Sequence, residues 1–128
     1  MTDLISIVIP TYNSEKTIKR ALNSVLNQSY KNWEVIIIDS FSKDKTIKLV
    51  KSYRCRKIKI LYISKSKGLA KARYQGIKKS NGKVIAFLDS DDDWHKNKLL
   101  NHLKFYNLKS AQFSCSAYNL INKKNKKK

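Results

Sequence analysis

The stretch FLDSDDDWH, residues 87 to 95, passes from an apolar run into four carboxylates, Asp89, Asp91, Asp92 and Asp93, interrupted only by Ser90. Carboxylates this close repel one another, and the repulsion is tolerable only where water or a cation offsets it. If the strand pattern runs on, Asp89 and Asp91 share one face. Two hard oxygen ligands on one side of a turn suit Mg²⁺ or Mn²⁺, which take one or two protein carboxylates and fill their other positions with water and phosphate oxygens. The competing reading is a helix beginning near His95, whose dipole favours acidic residues at its start. That dipole accounts for Asp92 and Asp93. It leaves Asp89, at the end of an apolar strand, unexplained, which favours the metal reading.

The elements that must position these groups are legible as an alternation of short apolar runs and helical periodicity. LISIVIP (4–10), WEVIIID (33–39), KIKILYI (57–63), KVIAFLD (83–89) and QFSCSAY (112–118) predict strands. The first, second and fourth are nearly continuous in apolar residues, as expected of central strands covered on both faces. Ile18, Ala21, Leu22, Val25 and Leu26 recur at helical spacing after a cap at Asn13 or Ser14, and Leu99, Leu100, Leu103 and Tyr106 do so after the acidic cluster. A third helix follows Gly68 and closes at Asn81-Gly82. This order predicts an α/β fold, doubly wound and Rossmann-like, with right-handed crossovers and a mostly parallel sheet. In such sheets ligands bind beyond the carboxyl ends of the strands. Three separate stretches converge there: Pro10-Thr11-Tyr12-Asn13, Asp39-Ser40 and Asp89-Ser90-Asp91-Asp92.

The 128 residues carry 28 Lys and Arg against 9 Asp and Glu, a formal charge of +19. The lysines are scattered over every predicted helix and the terminal NKKNKKK, which argues against specific nucleic-acid recognition and leaves room for loose attachment to anionic lipid. Cys55 and Cys115 match no metal-ligand spacing, so reduced thiols are expected. No segment approaches the roughly 18 apolar residues of a membrane span, and the start MTDLISIVIPTYN lacks a leader pattern. A cytoplasmic chain, at most held against the inner membrane face, is the expectation.

SIVIPTYNSEKTIKRALNSVLNQSYKNWEVIIID, GLAKARYQGIKKSNGKVIAFLDSDDDWHKNKL and FSCSAYNLI resemble, in order and spacing, the nucleotide-sugar-binding part of family 2 glycosyltransferases with the GT-A fold, in particular those that build bacterial surface polysaccharides. The resemblance runs from Ile5 to Ile121. It implies a nucleotide-diphospho-sugar transferase fold over residues 1–121, followed by a lysine-rich tail at 122–128. By position it places Pro10, Thr11 and Tyr12 at the nucleoside, Asp39 near the base, Asp89 and Ser90 near the ribose and metal, and Asp91 as principal ligand of Mn²⁺ or Mg²⁺. Where the family has a second acidic residue and a glycine after the aspartate, this chain has Ser40 and Phe41.

Arg73 stands out independently. The inward stripe of its helix reads Leu69, Ala72, Arg73, Gly76, Ile77, so a cation occupies an apolar position. It pairs with one of the aspartates or contacts the donor nucleotide. Lys65 and Lys67 read as solvated, His95 and His102 as surface or packing residues, Trp33 and Trp94 as core, and Ser14 and Ser42 as helix caps.

The function implied is inverting transfer from a nucleotide-sugar donor, most naturally uridine-linked, to a glycan or glycolipid acceptor. In the family the catalytic base lies well beyond the metal motif, and this chain ends first. The fold is therefore expected in truncated form, with the base unassigned and a completing subunit as one route to activity. An inactive nucleotide-binding fragment, or a basic nucleic-acid- or membrane-associated protein, are the alternatives.

Overall fold

The computed structural model describes residues 2–64 and 67–120. Eight elements follow one another: β1 (Ile5–Thr11), α1 (Ile18–Leu26), β2 (Trp33–Asp39), α2 (Thr46–Ser52), β3 (Ile58–Tyr62), α3 (Gly68–Lys79), β4 (Val84–Phe87) and α4 (Lys98–Lys109). The four strands form one parallel sheet in the order β3-β2-β1-β4.

Strand alternation divides the interior in two. Ile5, Ile7 and Ile9 of β1 and Val35 and Ile37 of β2 face α1, α2 and α4 in the larger core, together with Ile18, Leu22, Val25, Val50, Leu99 and Leu103. Val8, Ile36 and Ile38 face the other way, onto Ala72 of α3. The chain moves outward from β1 through β2 to β3, then crosses back over β1 to β4. Right-handed crossovers in opposite directions put α1 and α2 on one face and α3 on the other. That reversal makes the gap between the carboxyl ends of β1 and β4 the switch point of the sheet.

Two glycines set close approaches. A Cβ on Gly76 would lie 2.3 Å from Cγ1 of Val8, so its absence lets α3 settle on β1. A Cβ on Gly82 would meet the backbone of Leu4 and Ser6 at 2.7 and 2.6 Å. Gly82 is thus a steric requirement, without the left-handed helix ending expected from Asn81-Gly82, and α3 passes through an extended Ser80.

Beneath α3 sits a buried polar knot. Oε1 of Glu34 accepts from the Ser6 hydroxyl (2.7 Å) and the Asn81 N–H (2.8 Å), and Oε2 accepts from Lys59 (2.8 Å). Burial would raise the Glu34 carboxyl, but the bonds from Lys59, Asn81 and Ser6 outweigh it and hold it at about 2.

Several expectations are corrected. No fifth strand forms at 112–118: Ser110 ends α4 in a left-handed conformation, and Ser114 and Ser116 then bond back to His102 and Lys98 of α4 instead of a strand ladder. The fourth strand is an edge, partly exposed, because its outer side has no ladder partner among the described residues. The stripe of α3 is narrower than its periodicity suggests: Ala72 and Gly76 are buried, whereas Leu69 and Ile77 are exposed. Trp33 is buried and Trp94 packs against the core, as read from the sequence. Lys65 and the 122–128 tail lie outside the described residues.

Candidate functional site

The carboxyl ends of β1 and β4 and the loop between β2 and α2 surround a cleft of about 590 Å³, lined among others by Pro10, Tyr12, Asn13, Asp44, Asp89 and Asp91. Beside it a row of residues crosses the sheet from β1 to β3. In register, Thr11 stands opposite Asp39 and Asp39 opposite Tyr62. Asp39 is fully buried and accepts from the Thr11 hydroxyl (2.8 Å), the Ser42 hydroxyl (2.6 Å) and the Ser42 N–H (2.8 Å). A carboxylate so occupied fixes the chain around it.

That fixing extends across two loops. Asn13 N–H donates to Ser42 Oγ at 2.9 Å, while Lys43 N–H donates to Asn13 Oδ1 at 2.8 Å. Glu15 N–H reaches Asp44 Oδ2 at 3.0 Å, and Ser14 N–H reaches Thr46 Oγ1 at 2.7 Å. Burial pushes the Asp44 carboxyl up, but donors on Thr46 and Glu15 hold it below its ordinary range. Asn13 and Phe41 adopt positive φ, 46° and 55°, in these loops. Neither Ser14 nor Ser42 caps a helix as expected. The Ser14 hydroxyl bonds Ser90 Oγ at 2.8 Å, joining the ends of β1 and β4, because a turn over residues 14–17 separates it from α1. Ser42 is drawn to Asp39 instead.

The acidic cluster leaves β4 through a turn. Asp89 continues the face of Ile85 and Phe87 toward α3, where Arg73 donates to its Oδ1 at 2.8 Å and lies over the Phe87 ring at 5.7 Å. The strand stops at Phe87, and Asp92 N–H bonds the Asp89 carbonyl at 3.1 Å. The strand-borne shared face of Asp89 and Asp91 therefore does not form. Arg20 of α1 donates to the Asp91 carbonyl, and the Asp91 side chain is exposed at the cleft. The Asp92 carboxyl is raised by local desolvation and then by the charges of Asp91 and Asp89, with Arg20 opposing. Arg73 is partly buried, its side chain 36% exposed and its Nε buried, and its partner is Asp89.

Among the described residues no three His, Cys, Asp or Glu side chains gather into a complete metal cage. The donor set fits a different kind of site. Carboxylates of Asp91 and Asp89 beside an open cleft suit a hard cation that takes its remaining ligands from water and a diphosphate.

Sequence reasoning missed Asp44, Arg20 and Gln28, and it read Asn13 at the end of β1 as a helix cap where the side chain instead ties that end to the β2–α2 loop. Buried Gln28 accepts from Leu99 N–H (3.0 Å) and donates to the His95 carbonyl (2.9 Å), seating the start of α4. Asp44 had a signal, an aspartate two residues before a threonine at a helix start. Arg20 and Gln28 had none, since their partners Asp91 and Leu99 each lie 71 residues away.

Residues 6–128 match the family model described as Glycosyl transferase family 2. The chain belongs to this family. Relatives in family 2 include the Escherichia coli UDP-Glc:alpha-D-GlcNAc-diphosphoundecaprenol beta-1,3-glucosyltransferase WfgD, 40% identical over 93% of this chain and 47% of its own length. Another is the amylovoran biosynthesis glycosyltransferase AmsB of Erwinia amylovora, 44% identical over 77% of this chain and 34% of its own. The structure of S. aureus TarS 1-349 in complex with UDP-GlcNAc superposes with a TM-score of 0.78 at 28% identity, covering 93% of this chain and 38% of that one. The α/β architecture with its parallel sheet is thus that of GT-A glycosyltransferases. The chain spans about half the length, or less, of these curated relatives.

Proposed function

We propose that this chain forms the donor-binding part of an inverting glycosyltransferase, holding a uridine-diphosphate sugar with Mn²⁺ or Mg²⁺ for transfer to a lipid-linked or polysaccharide acceptor. The observation that carries the reading is the meeting of the ends of β1 and β4 with the β2–α2 loop around one cleft at the switch point of the sheet. The uridine assignment draws on the UDP-sugars named for WfgD and for the TarS complex, and the acceptor class on the names of WfgD and AmsB.

In this reading Pro10, Thr11 and Tyr12 border the nucleoside, and Asp39 shapes that border from beneath. Asp91, with Asp89, would hold the divalent ion; when bound, that ion supplies neutralisation of charge on the departing diphosphate. Arg73 keeps the Asp89 carboxylate oriented, and the Ser14–Ser90 bond keeps the two sides of the cleft at a fixed separation. The acceptor hydroxyl must also lose a proton, and no residue of this chain is assigned as the base that takes it.

Calorimetric titration with UDP tests the reading. Binding in Mn²⁺ that disappears in EDTA is the expected result, and equal affinity in both would remove the metal from the site.

A further inference from the structure

The turn from α2 into β3 holds a second pocket, of about 280 Å³, lined among others by Val50, Lys51, Arg54, Arg56, Ile58 and Ile60. It lies at the amino end of β3, whereas the cleft lies beyond the carboxyl ends of β1 and β4, so the parallel sheet separates the two. Its floor is apolar: Val50 is buried, while Ile58 and Ile60, on an edge strand, are only partly covered.

The rim is cationic. From Lys51 to Lys59 the chain carries five cations, and two of them are satisfied internally. The Lys59 ammonium meets Glu34 at 2.8 Å, and that of Lys57 donates to the Lys31 carbonyl at 2.7 Å and lies 4.8 Å from the Trp33 ring centre. Lys51, Arg54 and Arg56 are exposed and among the described residues form no ion pair. These three are the cations of the pocket, and no carboxylate lines it with them. Like charges around one concavity repel, and an anion between them turns that repulsion into attraction. The dipole of α2 accounts for Lys51 in its last turn, but Arg54 and Arg56 lie beyond the helix.

Arg54 is also strained. Its φ of 47° lies in the left-handed region where α2 stops, with its N–H bonded to the Lys51 carbonyl at 3.2 Å. Glycine holds such a position without cost. Arginine adds nothing to the helix stop except a guanidinium beside the pocket.

We infer that the α2–β3 pocket binds a phosphate group, independently of the cleft. Two guanidinium forks and an ammonium suit phosphate oxygens, and the apolar floor suits the carbon chain that bears them. That phosphate belongs either to the headgroup of an anionic lipid or to a soluble ester.

Sedimentation with vesicles of phosphatidylglycerol in phosphatidylcholine, and calorimetry with glycerol 3-phosphate, present the two carriers at roughly physiological salt. Arg54→Gln combined with Arg56→Gln should weaken whichever carrier binds by about thirtyfold, two cations at about fivefold each. Lys104→Gln combined with Lys109→Gln removes the same charge from exposed positions of α4 and should change binding little. Arg54→Gly, at a left-handed position, should melt at or above wild type and still lose about fivefold, which separates loss of the cation from loss of the fold. Binding of vesicles without glycerol 3-phosphate assigns the phosphate to lipid, and binding of glycerol 3-phosphate shows that a soluble ester suffices. If the two double variants weaken binding alike, the attraction is the chain's net charge and the pocket is not a phosphate site. If wild type binds neither carrier, the inference is equally overturned.

Discussion

Arg73 and Asp89 meet at 2.8 Å across the gap between α3 and the end of β4, each side chain more than one-third exposed. Such a pair contributes ~0.2–1 kcal/mol to stability. Its larger effect is on geometry, because it aims the Asp89 carboxylate at the cleft. Arg73→Met should therefore leave the melting temperature nearly unchanged and weaken Mn²⁺-dependent UDP binding severalfold. A large fall in melting temperature with unaltered affinity would make the pair purely structural.

Glu34 gives the fold an acid limit. Its carboxyl is depressed to about 2 in the folded chain, from an ordinary 4.5. The stability it contributes is complete above the unfolded value and is lost as pH falls from there toward about 2. The contribution is on the order of 2 kcal/mol, discounted for a Lys59 partner that is half exposed. Glu34→Gln should lower the melting temperature near neutrality and flatten its dependence on acid, as read by melts over that range.

Gly76→Ala should destabilise by about 1–3 kcal/mol, because the new methyl overlaps Val8 and pushes α3 off the sheet. Urea denaturation measures it. Full retention of stability would mean that α3 does not pack on β1 as described.

Much of this architecture was legible. Runs such as WEVIIID, short and rich in β-branched residues, read as strands, and their near-continuous apolarity placed β1 and β2 in the middle of a parallel sheet. The same signal misplaced β4, because VIAF is equally apolar at a sheet edge. The acidic turn and Arg73 stood out by violating local pattern: charges where apolar or spaced residues belonged. What stayed hidden was pairing over long separations. Nothing in Ser14 announces Ser90, and nothing in Asn13 announces Ser42, since a serine or asparagine beside a helix start looks locally like a cap. QFSCSAY shows the converse failure, a strand-like pattern whose hydroxyls find partners on α4 first.

The proposed metal-dependent nucleotide site is tested most directly by Asp91→Asn, followed in thermal melts of wild type and variant with and without Mn²⁺ plus UDP. Asparagine keeps the shape and one oxygen but removes the charge that holds a divalent ion. It also relieves a repulsion that raises the Asp92 carboxyl. The variant should melt at or above wild type when ligand-free and lose the ligand-induced rise that wild type shows. A variant that melts lower alone, by about the 0.3–1 kcal/mol of a helix-dipole contact, yet keeps its rise with Mn²⁺ and UDP, would contradict the metal site.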